Sequence, residues 1–167
     1  MATVKRSQYV LVAVGLLAVA MLTAGFVPAS AGVVGDPCAQ PGAIVGNNSG
    51  NTLVGTSGDD VICGLGGNDT IKGKGGADLI FGGNGNDKAN GGTDADTIHG
   101  GLGDDYIRGL GGADQLHGNG GNDSVNGQTG NDDLFGGANR DRLNGGKHVD
   151  SCDAGTHRND EEVNCES

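Results

Sequence analysis

Aspartate recurs every ninth residue, at Asp60, Asp69, Asp78, Asp87, Asp96, Asp105, Asp114, Asp123, Asp132, Asp141 and Asp150, without a slip. A carboxylate is a hard oxygen donor. A series of them at one fixed interval can line up charge and hold hard cations, which a lone carboxylate does poorly. Aspartate also favours turns and keeps a chain soluble, and for any single position that explanation is enough. It does not account for a register kept eleven times. Other chemistry is sparse. The chain has no GxSxG, no HExxH and no nucleophile–base arrangement at a fixed site, so no hydrolase is marked. A glycosidase needs only two carboxylates, which are abundant here, but nothing marks a sugar cleft.

The same nine-residue period positions these carboxylates. Glycine is locked at Gly55, Gly64, Gly73, Gly82, Gly91, Gly100, Gly109, Gly118, Gly127, Gly136 and Gly145. A third slot is aliphatic at Ile62, Ile71, Ile80, Ala89, Ile98, Ile107, Leu116, Val125, Leu134 and Leu143, and ends on Cys152. The unit reads x-G-x-x-G-x-D-x-U, as in FGGNGNDKA (81–89) and HGGLGDDYI (99–107). So short a repeat specifies a solenoid, in which each U side chain is buried only by stacking neighbours. Six residues read as a turn and x-U-x as one rung, with U inward and its neighbours outward. Glycine is expected in the turns because they use positive φ. The second glycine is replaced at Asp94, Asn139 and His148; Asp and Asn tolerate the left-handed region, whereas His fits it less well. Upstream, 45–53 (VGNNSGNTL) follows the frame loosely, with Asn51 in the aspartate slot. Worn units at both ends suggest caps.

The pattern resembles the nonapeptide GGxGxDxUx of hemolysin-type calcium-binding repeats, the RTX family. The resemblance covers Val54 to Cys152, and only Gly82–Asp87 and Gly100–Asp105 fit GGxGxD strictly. It implies an all-β fold: a right-handed parallel β-roll (β-solenoid) with two nonapeptides per turn and short N- and C-terminal caps. It also implies several Ca2+ ions in the glycine-rich turns, held by turn carbonyls and by the eleven aspartates from Asp60 to Asp150. RTX exporters usually read a C-terminal signal, whereas this chain carries an N-terminal one. It is therefore closer to small exported repeat proteins than to large toxins.

Two units per turn sort the aspartates into two edges, with neighbours about 5 Å apart. Bare carboxylates at that distance repel by about 0.8 kcal/mol even in bulk water. Loose, oxygen-rich turns suit calcium better than magnesium. The core is slim for so glycine-rich a chain, so folding is expected to need the ion. The same sorting puts Phe81, His99, His117 and Phe135 in a stripe on the outer face of one sheet, a candidate interface. His99 and His117 on adjacent rungs make at most half of a zinc or copper site.

Bulk properties set the remaining expectations. Lys5 and Arg6 precede an uncharged, mostly apolar run from Tyr9 to Val27, followed by Ala29-Ser30-Ala31. This reads as a cleaved secretory signal peptide at 1–31 rather than a membrane anchor. Removal would leave 21 acids against eight of the ten basic residues, a formal charge of −13, which repels nucleic acid and anionic membranes. In an exported chain, Cys38, Cys63, Cys152 and Cys165 are expected to form disulfides. Cys38–Cys63 and Cys152–Cys165 are favoured because each clips one end of the array. A cysteine zinc site lacks its CxxC knuckle. The domains read as 32–44 N-terminal cap, 45–152 roll and 153–167 C-terminal cap, the last protecting an open edge.

The expected function is an exported, non-catalytic, calcium-binding roll with an extracellular structural or adhesive role. Calcium is the one partner named, and a cell-surface partner stays unidentified. An ice-binding or other surface-recognition solenoid is the alternative, with a small secreted hydrolase behind it. Ice binding needs a regular file of threonines, and the outer positions Val61, Leu79, Thr97, Gln115 and Asp133 do not form one.

Overall fold

The computed structural model describes residues 35–155, 157 and 159–166; the signal peptide read at 1–31, and the anchor weighed against it, lie outside them. Among the described residues no helix is long and apolar enough to cross a membrane. The described residues form fourteen strands: β1 Ile44–Asn47, β2 Thr52–Val54, β3 Val61–Gly66, β4 Thr70–Gly75, β5 Leu79–Asn84, β6 Lys88–Thr93, β7 Thr97–Leu102, β8 Tyr106–Gly111, β9 Gln115–Gly120, β10 Ser124–Thr129, β11 Asp133–Ala138, β12 Arg142–Lys147, β13 Ser151–Asp153 and β14 Glu161–Val163. Odd-numbered strands make one seven-stranded sheet and even-numbered strands the other. The pairings are parallel, and Ile62↔Ile80 and Ile80↔Ile98 give the register. Partners lie eighteen residues apart, so two nonapeptides complete each coil of a parallel β-roll.

The strands are longer than the three-residue rung expected from x-U-x. Each interior strand runs x-U-x-G-x-x, as in Val61–Gly66, and ladder pairing continues through Leu65↔Gly83 and Gly66↔Asn84. Glycine does not stop a strand here, because the coils above and below supply partners for its backbone. Only three residues, such as Gly67-Asn68-Asp69, remain as the turn.

Burial alternates as the pleat requires. The U residues from Ile62 to Leu143 are buried in one continuous core between the sheets, closed at its ends by Ile44, Leu53 and Cys152. Outward neighbours stack along the coils. Phe81, His99, His117 and Phe135 form a ladder of near-parallel rings with centroids 5.2, 4.6 and 4.6 Å apart. On the other sheet the Arg108 guanidinium lies over the Tyr106 ring, 4.7 Å from its centroid.

The ends are clipped as expected. Cys38 bonds Cys63 and Cys152 bonds Cys165. The first bridge holds a short 3-10 turn, Pro37–Ala39, whose Cys38 N–H donates to Asp36 Oδ1 at 2.9 Å. The tail departs from expectation. It does not simply leave the period, since β14 pairs with β12 in the register Arg142↔Glu161. The offset is nineteen instead of eighteen; one inserted residue conceals a further strand of the second sheet. The role of edge cover gives a prediction. Cys165→Ser should loosen β14, expose the edge of β12 and promote end-to-end association, seen as dimers and larger species in analytical ultracentrifugation. A strictly monomeric variant would count against the tail's protective role.

Candidate metal centre

Each aspartate of the repeat closes its turn with the carboxylate directed back between the coils. The Asp78 and Asp96 carboxylates show the pattern on one edge: Asp60 N–H donates to Asp78 Oδ1 at 2.9 Å, and Asp78 N–H to Asp96 Oδ1 at 2.8 Å. The bonds continue through Asp114 and Asp132 to Asp150. On the other edge they run from Asn51 through Asp69, Asp87, Asp105, Asp123 and Asp141 to Asp160. The structure thus sorts the eleven predicted aspartates into the two expected columns. It also adds Asp160, which the inserted residue had hidden.

The second carboxylate oxygen is the chemically informative one. Oδ2 of Asp69, Asp78, Asp87, Asp96, Asp105, Asp114, Asp123, Asp132, Asp141, Asp150 and Asp160 is buried without a hydrogen-bond partner. Asp60 is different: its Oδ2 accepts from Thr56 N–H at 2.6 Å and from Thr56 Oγ at 3.0 Å. Buried unpaired carboxylate oxygens are costly, and here they recur coil after coil.

The locked glycine explains where these oxygens point. A Cβ on Gly64 would overlap both Asp69 Oδ2 and the Gly82 carbonyl oxygen, and one on Gly127 both Asp132 Oδ2 and the Gly145 carbonyl oxygen. The carboxylate of the unit and the carbonyl of the next coil converge on the space a side chain would fill. This corrects the expected reason for that glycine: Gly64 and Gly127 lie outside the positive-φ region, so space rather than backbone freedom excludes other residues. Positive φ falls on the second glycine slot from Gly67 onward, including Asp94 (77°), Asn139 (79°) and His148 (87°). His148 is accommodated with help from Gly130, whose N–H donates to its Nδ1 at 3.2 Å. The third position of the unit also turns left-handed, even where Leu65, Lys74, Leu110 and Gln128 occupy it.

Electrostatics follow from burial. Desolvation pushes Asp96 and Asp105 up to about 7 and Asp114 and Asp123 up to about 6. It also raises Asp78, Asp87, Asp132 and Asp141. The backbone N–H bond on Oδ1 opposes the rise, and neighbouring carboxylates add to it. Among the described residues no three His, Cys, Asp or Glu side chains gather into a metal-ligating group. A metal here must therefore take backbone carbonyls alongside carboxylates. Eleven buried, unpaired Oδ2 atoms beside carbonyl oxygens are a hard-donor set that fits Ca2+. The His99 and His117 rings stack face to face, 4.6 Å apart, so their in-plane lone pairs run side by side instead of meeting on one ion.

Other signals were legible only in three dimensions. Asn68, Asn86, Asp104 and Asn122 form an outer ladder, each side-chain oxygen accepting the N–H of the residue one coil on, as in Asn86 N–H to Asn68 Oδ1 at 2.9 Å. On the opposite edge the position is Ala77, Ala95 and Ala113 in the middle of the roll, and the same bond is made only towards its ends, from Ala77 N–H to Asp59 and from Val149 N–H to Asn131.

The raised carboxylates predict an unusual pH response. Their folded-state values lie above the unfolded ones, so the roll binds protons more tightly than the open chain. That stabilisation is complete below about 4 and is lost as pH rises through about 6 to 7. In excess chelator, acidification from about pH 8 to about pH 5 should therefore shift the chain towards the folded roll, seen as a gain of β-sheet circular dichroism signal. A metal-free chain with no more β-sheet signal at the lower pH would refute the assignment.

Comparison with known proteins agrees with this geometry. A family model described as RTX calcium-binding nonapeptide repeat (4 copies) matches at 45–80, 64–98, 81–116, 90–125 and 126–156. No curated protein matches the chain. Successive matches span 45–156, most of the 167 residues, and the stacked coils beneath them carry the aspartates in register: the chain belongs to the RTX calcium-binding nonapeptide repeat family.

Proposed function

We propose that this is an exported, non-catalytic calcium-binding β-roll whose folding is coupled to calcium, with a structural or adhesive role outside the cell. The observation that carries the reading is the column of buried, unpaired Oδ2 atoms. The aspartates from Asp69 to Asp150 would hold several Ca2+ ions together with glycine carbonyls of the adjacent coil. Bound there, the ion supplies positive charge and coordination that no protein donor provides. The chain's own residues do the rest: backbone N–H groups orient each carboxylate through Oδ1, and glycine keeps the space open. Export is supported by the leader-like sequence of 1–31 and by two disulfides, which persist in oxidising compartments. The cap segments 32–44 and 153–167 would hold the ends of a roll spanning 45–152.

Extracellular calcium modules bind at roughly 0.1 to 1 mM. Calcium added to the chelated chain should therefore produce a β-sheet circular dichroism signal over that range. A spectrum unmoved up to about 10 mM, well beyond that affinity range, would reject the coupling.

The stacked ladder on the first sheet supports a second element of this reading, adhesion through that face. Phe135 is exposed, and Phe81, His99 and His117 are half-buried in the same continuous stack. Replacing Phe81 and Phe135 by Ser should reduce self-association or binding to cell surfaces severalfold while leaving the calcium-induced fold intact. Unchanged association would remove the reason to single out the stripe.

A further inference from the structure

The first coil of the roll differs from those that follow. At Gly55–Asp60 the third residue, Thr56, keeps an ordinary φ, and its N–H turns inward to Asp60 Oδ2 at 2.6 Å. Its hydroxyl adds a second bond to the same oxygen at 3.0 Å. The opposite edge closes the same way, with Asn47 N–H donating to Asn51 Oδ1 at 2.7 Å. In later turns the third residue swings to positive φ, at Leu65, Lys74 and Gly83 for example, and Oδ2 loses its donor. Moreover, Lys74 reaches back one coil, and its Nζ donates to the Gly55 carbonyl oxygen at 2.7 Å. Lys74 is the one cationic side chain at the third position of any unit from Val54 to Asp150.

We propose that this opening coil, Gly46–Asn51 with Gly55–Asp60, is built to stand without metal. The Lys74 ammonium is its resident cation, and Thr56 satisfies the carboxylate oxygen that elsewhere awaits an ion. Asp60 then belongs to the aspartate register without being a calcium ligand. The coil is a preformed platform on which metal-dependent coils stack. Asn51 already fills the aspartate slot with an uncharged side chain, so this coil does not need a charge there.

This inference rests on the calcium reading, and one calorimetric series separates the two. Asp60→Asn should bind the same number of Ca2+ ions as the parent full chain, with affinity within about twofold, since RT ln 2 is only about 0.4 kcal/mol. Asp96→Asn, changed at an unpaired carboxylate, should lose at least one ion. Loss of an ion from Asp60→Asn as well would overturn the inference alone. A parent chain that binds no calcium would overturn the calcium reading and this inference with it. Lys74→Met should lower the thermal midpoint of the calcium-loaded protein by a few degrees at unchanged ion count, with Lys74→Arg restoring it. A midpoint indifferent to Lys74→Met would remove the ammonium from this role.

Discussion

A carboxylate held out of water with one oxygen bonded and the other bare is the constraint around which this roll is organised. Oδ1 takes a backbone N–H from the coil before it, which fixes the direction of the group. Oδ2 is left facing a carbonyl in the next coil. Two oxygens directed at one space repel unless something positive lies between them. Repetition turns a local penalty into a property of the whole molecule, because every coil after the first inherits the same unpaired atom. The aliphatic stripe fixes register and excludes water, but it supplies only one fully buried side chain for each nine residues. It holds the coils in line more than it holds them together.

The invariant glycine follows from that constraint. Backbone freedom is what glycine usually offers, and it is what the second glycine position uses. At the first, the side chain has been traded for an oxygen-lined gap. This is why the second position accepts Asp94, Asn139 and His148, whereas the first accepts nothing else from Gly55 to Gly145. A left-handed residue can be accommodated by a hydrogen bond or a tolerable strain. An atom cannot share the place of a carboxylate.

Much of this was legible because the period carries it. Nine residues per unit specify the partition of aspartates into two columns, the inward U residues and the stripe from Phe81 to Phe135, and the place of the cysteines at the ends of the array suggests their pairing. What escaped had no periodic signature. The inserted residue before Asp160 broke the count, so a strand that pairs normally looked like a loose tail. Residue type alone understates strand length, because glycine reads as turn although a parallel stack gives it ladder partners on both sides. Left-handed backbone at Leu65 and Lys74 leaves no mark in residue type. The peculiarity of Asp60 depends on the φ of Thr56, four residues away, and on a lysine from the next coil.

The two disulfides have a consequence for how such a chain can change length. Cys38–Cys63 and Cys152–Cys165 span 25 and 13 residues, so each staples a terminus to the coil beside it and neither joins one end to the other. Between Cys63 and Cys152 no covalent tie limits how many coils there are. Eighteen added residues would slide the distal portion outward by one storey with every file unbroken. Nine would transfer everything downstream to the opposite wall, splitting the ring stack and swapping the asparagine-rich rail with the alanine one. The architecture is thus modular in whole coils, a quantum twice the size of the repeat written in its sequence.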